Sequence, residues 1–392
     1  MVELLLVVGL VVALFVGYNI GGSTTGPAFG PAVGSGAISK GGAAALMSVF
    51  FLVGAWTIGR EVVDTLGRDL VTEPGVFTLE TSIIVLFFIG GALFVGNYAG
   101  VPASTSMTAV GAIAGLGVAR GALDWEVMGE IAVWWLVAPL LGFWVSGIIG
   151  RYLYPTINRW VAIDESPGSL IEFDESGAIP IPRRGPETTT RELAGAVTVV
   201  SIGCLMAFSS GTSNIANAIA PLVGADALGV DPLIIMGCAA VAVGAFTIAR
   251  RTLDTLGNDI TDLPLTAAIV VAVVSSIIVV GLSAIGIPAS FVIIATMSIV
   301  GLGWGRATRT VTVSEGVRGN AGANVSVGAL AAEEPGERAP DIGEEDPEDI
   351  PSAADLFDPS TTGRVLLMQN VVPVLSTVGA YATFWVLFEF VW

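Results

Sequence analysis

The chain carries one of its own segments twice. Residues 54–70 read GAWTIGREVVDTLGRDL and residues 244–260 read GAFTIARRTLDTLGNDI, and the two are identical at ten of 17 positions at a constant offset of 190. The same offset aligns the glycine-rich residues 22–34 with residues 212–224. In a strongly apolar chain, such a duplication predicts a membrane protein of two related halves with a binding site at their interface.

Composition places the chain in a membrane. Hydrophobic residues make up 53% of the chain, charged residues 13%, and the mean hydropathy is +0.81, whereas soluble domains carry about 25% charged residues. Repeated apolar runs of about 20 residues predict an all-α integral membrane protein. The first run, Met1–Val16, lacks a basic N-terminal region and carries Glu3, so we interpret it as a span rather than a cleaved leader.

We expect about ten spans, five in each half. They cover residues 2–20, 41–60, 79–99, 104–119 and 128–153, then 192–210, 231–249, 265–285, 288–304 and 366–391. Polar segments rich in Gly, Ser, Thr and Pro, residues 21–38 and 211–226, separate the first two spans of each half. Irregular backbone at membrane depth occurs only beside protein or a watery cavity, so we expect each half to contain a broken or re-entrant element there.

The basic residues predict the orientation. With ten spans, 13 Lys and Arg residues fall on one side, and only Arg60, Arg68 and Arg120 fall on the other. The positive-inside rule places the 13 in the cytoplasm and both termini outside the plasma membrane. Because each half has an odd number of spans, the halves cross the membrane in opposite senses and form an inverted repeat.

The predicted organisation has five parts. Residues 1–159 form the first membrane repeat, residues 160–190 a polar cytoplasmic linker, and residues 191–309 spans six to nine of the second repeat. Residues 310–362 form an acidic, largely disordered cytoplasmic loop, and residues 363–392 the last span. A regulatory or partner-binding role of the acidic loop is the alternative to a solvated linker.

Charge and residue usage exclude several function classes. The net charge of −18, from 34 acidic and 16 basic residues, suits a surface hydrated in strong salt, so we expect a halophilic source. The chain has no histidine, which excludes histidine bases and histidine metal sites. Cys204 and Cys238 lack C-x-x-C spacing and are interpreted as small buried hydrophobic residues. We expect no enzyme, no catalytic residue and no nucleic-acid partner.

The first candidate site lies in the two polar segments. Its side chains are Ser23, Thr24 and Thr25 in the first half and Ser213, Asn214 and Asn217 in the second. Short hydroxyl and amide groups, together with freed backbone N–H groups at helix ends, can replace the hydration shell of an oxyanion. The alternative is that small residues here allow close helix packing.

The second candidate site lies at the start of two later spans. Ser104, Thr105 and Ser106 follow Pro102, and Ser290 follows Pro288. A helix that begins with proline and hydroxyl residues places donors at the positive end of its dipole, which favours anion binding. Ordinary helix capping is the alternative.

The third candidate is the duplicated Asp-Thr-Leu-Gly sequence, Asp64–Gly67 and Asp254–Gly257. Turn formation and capping explain these residue types beyond a span end, and a gate or ion contact is the alternative. The candidates for a sodium site are Thr65 and Thr255 from this sequence, together with Asn217 from the first candidate site.

The order of these motifs resembles the inorganic phosphate transporter (PiT) family. That family carries twice a Gly-x-Asn-Asp-x-Ala-Asn-Ala motif followed by Gly-(Thr/Pro)-x-x-Gly and, later in each half, a second motif, Pro-Val-Ser-Thr-Thr-His. Gly211–Leu222 is close to the first motif, Gly21–Ser35 matches mainly in its second half, and Val101–Met107 resembles the second motif. The resemblance covers nearly the whole chain apart from the two insertions.

The chain departs from the family pattern at charged positions. The family's Asn-Asp pair is Ser23–Thr24 in one copy and Ser213–Asn214 in the other, and its His is Met107 or Ile293. In the family these acids are associated with sodium and phosphate binding. Their loss favours an anion and weakens a bound cation.

The resemblance implies a secondary active transporter that imports inorganic phosphate by cation-coupled alternating access. Sodium is the expected coupling ion and the proton is the alternative; no other cofactor is expected. Another tetrahedral oxyanion, carried by a sulfate permease on the same scaffold, and a passive anion channel are the alternative functions. The expected partners are the anion, membrane lipid and a second copy of the chain in a homodimer.

Overall fold

The chain folds into packed α-helices with one short β-hairpin. The computed structural model describes residues 2–34, 36–73, 75–98, 104–161, 171–174, 181–184, 189–259, 265–307 and 359–391. The helices of the first half are α1 (Val2–Gly34), α2 (Lys40–Trp56), α3 (Gly59–Asp64), α4 (Leu79–Tyr98), α5 (Thr105–Arg120), α6 (Trp125–Ile148) and α7 (Tyr154–Val161). Those of the second half are α8 (Thr190–Gly224), α9 (Val230–Asp259), α10 (Leu265–Ser283), α11 (Phe291–Ala307) and α12 (Pro359–Phe390).

The helices occur in the order that the hydropathy pattern predicts. Seven stretches of the described residues are long and apolar enough to cross a membrane, and the bent pair of α2 with α3 raises this to eight. Helices α5 and α11 have only 16 and 17 residues, which is about 25 Å of helix. A bilayer core is about 30 Å thick, so ten complete spans stay a prediction.

The polar segments 21–38 and 211–226 are helical rather than irregular over most of their length, which corrects the expected broken elements. Helix α1 continues to Gly34 through two prolines, and α8 continues to Gly224 through one. The hydroxyls of Ser23 and Thr24 donate to the carbonyl of Ile20 in the same helix. Hydroxyl groups thus satisfy backbone acceptors inside an apolar environment and keep these helices intact.

The break lies instead between α2 and α3. Lys40–Trp56 and Gly59–Asp69 meet at an angle of 66°, and α3 passes into a π-helical turn at Thr65–Asp69. The first Asp-Thr-Leu-Gly copy spans this junction, with Asp64 at the end of α3 and Thr65–Gly67 in the turn. A second π-helical turn, Ile149–Leu153, follows α6.

Four glycines make the repeat visible in the packing. A Cβ atom placed on Gly21 of α1 would approach the carbonyl oxygen of Val241 in α9 to less than 3.0 Å. Gly211 of α8 lies 190 residues later in the chain, and a Cβ atom placed on it would approach the carbonyl oxygen of Phe51 in α2 equally closely. Small residues allow helix backbones to approach this closely. The packing role considered for the polar segments is therefore real for their glycines.

The contact is reciprocal. Gly244 of α9 faces the carbonyl of Tyr18 in α1, and Gly54 of α2 faces that of Phe208 in α8, again 190 residues apart. The first helix of each half thus packs on the second helix of the other half. Likewise α5 packs on α12, and α11 packs on α6.

Equivalent first helices run in opposite directions. Gly9 of α1 lies against Leu222 of α8, while Phe29 of α1 lies against Gly203 of α8. An inverted repeat requires this antiparallel relation between α1 and α8. Inversion of the complete repeats stays a prediction.

The segment between the repeats contains the β-hairpin. Strand β1 (Ile171–Asp174) pairs with β2 (Ile181–Arg184) in antiparallel register, with Ile171 opposite Arg184. The alternating Ile-Glu-Phe-Asp sequence is typical of a strand, a signal that the interpretation as a plain linker overlooked. Residues 308–358, which hold most of the expected acidic loop, lie outside the described residues, and α12 begins at Pro359.

Candidate functional site

The beginnings of α5 and α11 lie in the protein interior. Ser104 is 1% exposed and caps α5, where its Oγ accepts a hydrogen bond from the backbone N–H of Met107. Ser290 is also buried and accepts from the N–H of Ile293 at 3.4 Å. The capping predicted as one alternative is therefore present. Both caps also bring the positive end of a helix dipole into the interior.

Three elements meet at the carbonyl of Ala289, which comes directly before Ser290. The Oγ atoms of Ser106 on α5 and Ser213 on α8 lie 3.0 Å and 2.9 Å from that carbonyl oxygen. The two hydroxyl oxygens are 3.2 Å apart. The backbone N–H of Ala289 also donates to Ser213. Predicted residues of both candidate sites thus form one buried cluster that joins the two halves.

An amide network extends the cluster along α8. The hydroxyl of Thr105 donates to Oδ1 of Asn214, and Nδ2 of Asn217 donates to the same oxygen at 3.1 Å. Nδ2 of Asn214 donates to Oγ of Ser210 at 3.0 Å. Asn217 is completely buried. Within the described part of the chain, its own Oδ1 has no hydrogen-bond partner.

The first-half residues Ser23, Thr24 and Thr25 are arranged differently. Each donates its hydroxyl to a carbonyl of α1, at 2.7–3.1 Å. The described hydrogen bonds therefore join Thr105 and Ser106 to the second-half cluster and leave the first-half hydroxyls in their own helix. Their substrate role stays a prediction.

Single polar residues inside apolar helices were missed by the sequence reasoning. Thr212 of α8 donates to Ser283 at the end of α10, at 3.1 Å. In the first half, Asn97 near the end of α4 donates to Asn19 of α1 at 3.1 Å. The signal that could have identified them is an isolated amide or hydroxyl in an apolar run, since such groups need a partner in a membrane.

The turn before α11 is held from two sides. The indole N–H of Trp135 on α6 donates to the carbonyl of Pro288 at 2.8 Å. On another side, Gly286 has a φ of +76°, and a Cβ atom placed on it would lie 2.5 Å from Oγ1 of Thr65. The first Asp-Thr-Leu-Gly copy thus touches the turn that presents Ala289 to the cluster.

The same copy also packs on α8. Gly67 lies against the carbonyl of Ala220 and the backbone of Gly224, while Asp64 pairs with Arg68 at the exposed surface. These contacts agree with an architectural role. A sodium contact of Thr65 stays a prediction, and the side chain of Thr255 lies outside the described residues.

The cluster consists of uncharged groups. Seven of its side chains are Ser104, Thr105, Ser106, Ser213, Asn214, Asn217 and Ser290. The described residues contain no group of three or more His, Cys, Asp or Glu residues that could hold a metal ion. Hydroxyl, amide and helix-terminal N–H donors can bind an anion without a paired cation. Cys204 and Cys238 are free and buried, as expected.

Comparison with known proteins gives the family. The model of the phosphate transporter family matches residues 20–330. The sulfate permease CysP of Bacillus subtilis is 31% identical over 273 residues, which are 69% of this chain and 69% of that protein. A protein of Helicobacter pylori named "Putative phosphate permease" is 26% identical over 340 residues, 69% of this chain and 63% of its own length.

A solved structure has the same fold. The structure titled "The sodium-dependent phosphate transporter" superposes with a TM-score of 0.68 at 15% identity, over 99% of this chain and 100% of that one. Members of the matched family are transporters rather than enzymes. Together with the apolar helices, these findings establish a multi-pass membrane protein, and the chain belongs to the phosphate transporter family.

Proposed function

We propose that the protein imports inorganic phosphate across the plasma membrane by cation-coupled alternating access. The observation that carries the proposal is the cluster at Ala289, where the capped starts of α5 and α11 meet Ser213 of α8. Hydroxyl and amide donors at two helix N-termini suit a tetrahedral oxyanion. Family membership supports phosphate as that anion.

The burial of the cluster supports a gated route. Ser106 and Asn217 are 0% exposed and Ser213 is 1% exposed, so an anion reaches them only when the surrounding elements separate. The turn before α11 and the start of α5 come from different halves. Movement of one half against the other would therefore open the cluster to each side in turn.

Sodium is the proposed coupling ion. The support is the name of the solved structure with the same fold, a sodium-dependent phosphate transporter. The proton remains the second candidate. We also propose that both termini face outward and that residues 160–190 and 310–362 are cytoplasmic, on the basis of the basic residues.

Uptake into proteoliposomes tests the proposal. Purified full-length protein should accumulate labelled phosphate under an inward sodium gradient, and an equal potassium gradient should give no accumulation. Uptake that ignores every imposed sodium or proton gradient would indicate a passive anion channel.

The cluster itself is tested by substitution. Ser213→Ala combined with Asn214→Ala should abolish uptake, because both partners of α5 are removed. Ser201→Ala is the matched control on the same helix, since this exposed hydroxyl donates to the carbonyl of Val197 in its own helix. Normal uptake by the double variant would remove the cluster from the transport site.

Sulfate is the second candidate substrate. The sequence similarity to a sulfate permease favours it, and the uncharged side chains of the cluster suit a dianion equally well. Excess unlabelled sulfate should reduce phosphate uptake much less than the same concentration of unlabelled phosphate if phosphate is the substrate. Sulfate uptake that excess phosphate does not reduce would instead establish the sulfate permease.

A further inference from the structure

The side-chain amide of Asn217 is buried beside the cluster on α8. The residue is 0% exposed, and its Oδ1 has no partner within the described part of the chain. An amide oxygen left in this state costs about 1–3 kcal/mol. Buried polar groups are normally paired, so the unpaired oxygen requires an explanation.

Neighbouring hydrogen bonds fix which end of the amide is free. Nδ2 of Asn217 donates to Oδ1 of Asn214. That oxygen also accepts from Thr105, and the amide nitrogen of Asn214 is used on Ser210. Rotating the Asn217 amide by half a turn would place its Oδ1 against Oδ1 of Asn214, two acceptors without a proton between them. The free end is therefore the acceptor, and Oδ1 of Asn214 links the Asn217 amide to Thr105 at the start of α5.

The rest of the cluster provides mainly donors. Ser104 and Ser290 use their oxygen atoms as cap acceptors, so their hydroxyl protons, together with the N-terminal N–H groups of α5 and α11, suit bare oxygens of an anion. Inorganic phosphate near neutral pH carries at least one P–OH group, which is a donor, whereas sulfate carries none. A site for phosphate therefore needs at least one acceptor that a site for sulfate does not need.

We propose that Oδ1 of Asn217 accepts the hydrogen bond of the phosphate hydroxyl and thereby selects phosphate over sulfate. This inference rests on the proposed phosphate transport by the same cluster. Sulfate in the same position would leave the oxygen unpaired and place it against a negatively charged oxygen. Sites built to pair with a substrate hydroxyl reject analogues that lack it, because the buried partner is left unpaired.

The first test uses the wild-type protein and needs no substitution. The experiment measures how well unlabelled tetrahedral anions displace labelled phosphate from the purified full-length protein. The anions have similar shapes but differ in whether they carry a hydroxyl group. Arsenate, which carries a hydroxyl, should displace phosphate. Sulfate, selenate and monofluorophosphate, which carry none, should compete at least about tenfold more weakly. Equal competition by monofluorophosphate and arsenate would overturn the inference.

The second test assigns the effect to Asn217. Asn217→Ala should lower the affinity for phosphate by a factor on the order of ten and leave that for sulfate unchanged or higher. Ser276→Ala is the control, because Ser276 is buried on α10 with no partner among the described residues, outside the cluster. It should leave the ratio of the two affinities unchanged.

Three outcomes remain distinct. If Asn217→Ala lowers the affinity for both anions equally and changes the sodium dependence of binding, Asn217 is a sodium ligand and the inference is overturned. An unchanged phosphate-to-sulfate ratio in Asn217→Ala would also overturn it. A wild-type protein that binds sulfate and not phosphate would instead overturn the proposed function, and with it the premise on which the inference rests.

Discussion

The hydroxyl oxygens of Ser106 and Ser213, 107 residues apart in the chain, lie 3.2 Å from each other and share one acceptor, the carbonyl of Ala289. One belongs to the first half of the chain and the other to the second. The acceptor precedes α11, so a single hydrogen-bond cluster connects three elements. Because the two hydroxyls share an acceptor, their contributions to transport are not independent.

Ser106→Ala and Ser213→Ala should each reduce phosphate uptake by a factor on the order of ten. The fold-reduction in the double variant should be smaller than the product of the two single fold-reductions. A double-mutant cycle on initial uptake rates measures this coupling. Ser48→Ala is the control, because this hydroxyl bonds to Ala44 within α2. Strictly multiplicative losses would show that the shared acceptor has no effect on transport.

Gly21→Ala and Gly211→Ala should each lower stability by about 1–3 kcal/mol, because the new methyl group meets a helix carbonyl. Thermal unfolding of the detergent-solubilised protein should show a lower midpoint for both. Gly281→Ala in α10 is the matched control, since no atom of the described residues lies within 4 Å of the added atom. It should unfold at the wild-type midpoint or slightly above, because alanine favours helix.

Gly286→Ala should reduce transport more than Gly121→Ala. Both glycines have a positive φ, +76° and +73°, so both variants carry similar backbone strain. Only Gly286 faces another side chain, Thr65. Thr65→Ala should therefore restore part of the uptake of the Gly286 variant. The absence of any rescue would argue against contact between the Asp-Thr-Leu-Gly copy and the turn before α11.

Trp135→Phe should raise the KM for phosphate several-fold and leave protein yield unchanged. The ring is kept, but the hydrogen bond to the carbonyl of Pro288 is lost, and the segment that carries Ala289 and Ser290 is held less firmly. Initial rates across phosphate concentrations give KM and the maximal rate separately. A fall in yield with an unchanged KM would show a purely structural role for Trp135.

The halophilic origin expected from the net charge of −18 can be tested on the protein itself. Self-repulsion of an acidic surface is screened by salt. The thermal midpoint should therefore rise from low to molar potassium chloride by more than in sucrose of the same osmolarity. A midpoint that is flat or falls with salt would contradict the expectation.

The sequence predicts the helices better than their ends. Apolar runs of about 20 residues locate each helix, because hydrophobicity is a local property of the chain. The pattern does not show that α1 and α8 continue through Ser23 and Ser213, since hydroxyl groups that suggest a break in water can bond to their own helix in a membrane.

The composition of the site is predicted, but its connections are not. The sequence indicates the hydroxyls that follow Pro102 and the Ser-Asn pair of the second half as two separate candidate sites, and the structure joins them in one hydrogen-bonded cluster. That Thr105 meets Asn214, or that Ser106 meets Ala289, depends on chain segments more than 100 residues apart. No spacing in the sequence encodes such a pair. That the described residues show Ser23 bonded to its own helix, and not to a matching cluster, likewise appears only in three dimensions.

The reciprocal glycine contacts have the pattern of an isologous interface, in which one patch meets a copy of itself. Gly21 contacts Val241, which is the second-half equivalent of Phe51. Gly211, the equivalent of Gly21, contacts Phe51 itself. This is the geometry of a two-fold homodimer whose subunits have been fused into one chain. In a homodimer every substitution occurs at both copies of a site. Fusion frees each copy to change alone, and the difference between Thr24 and its equivalent Asn214 is a change of this kind.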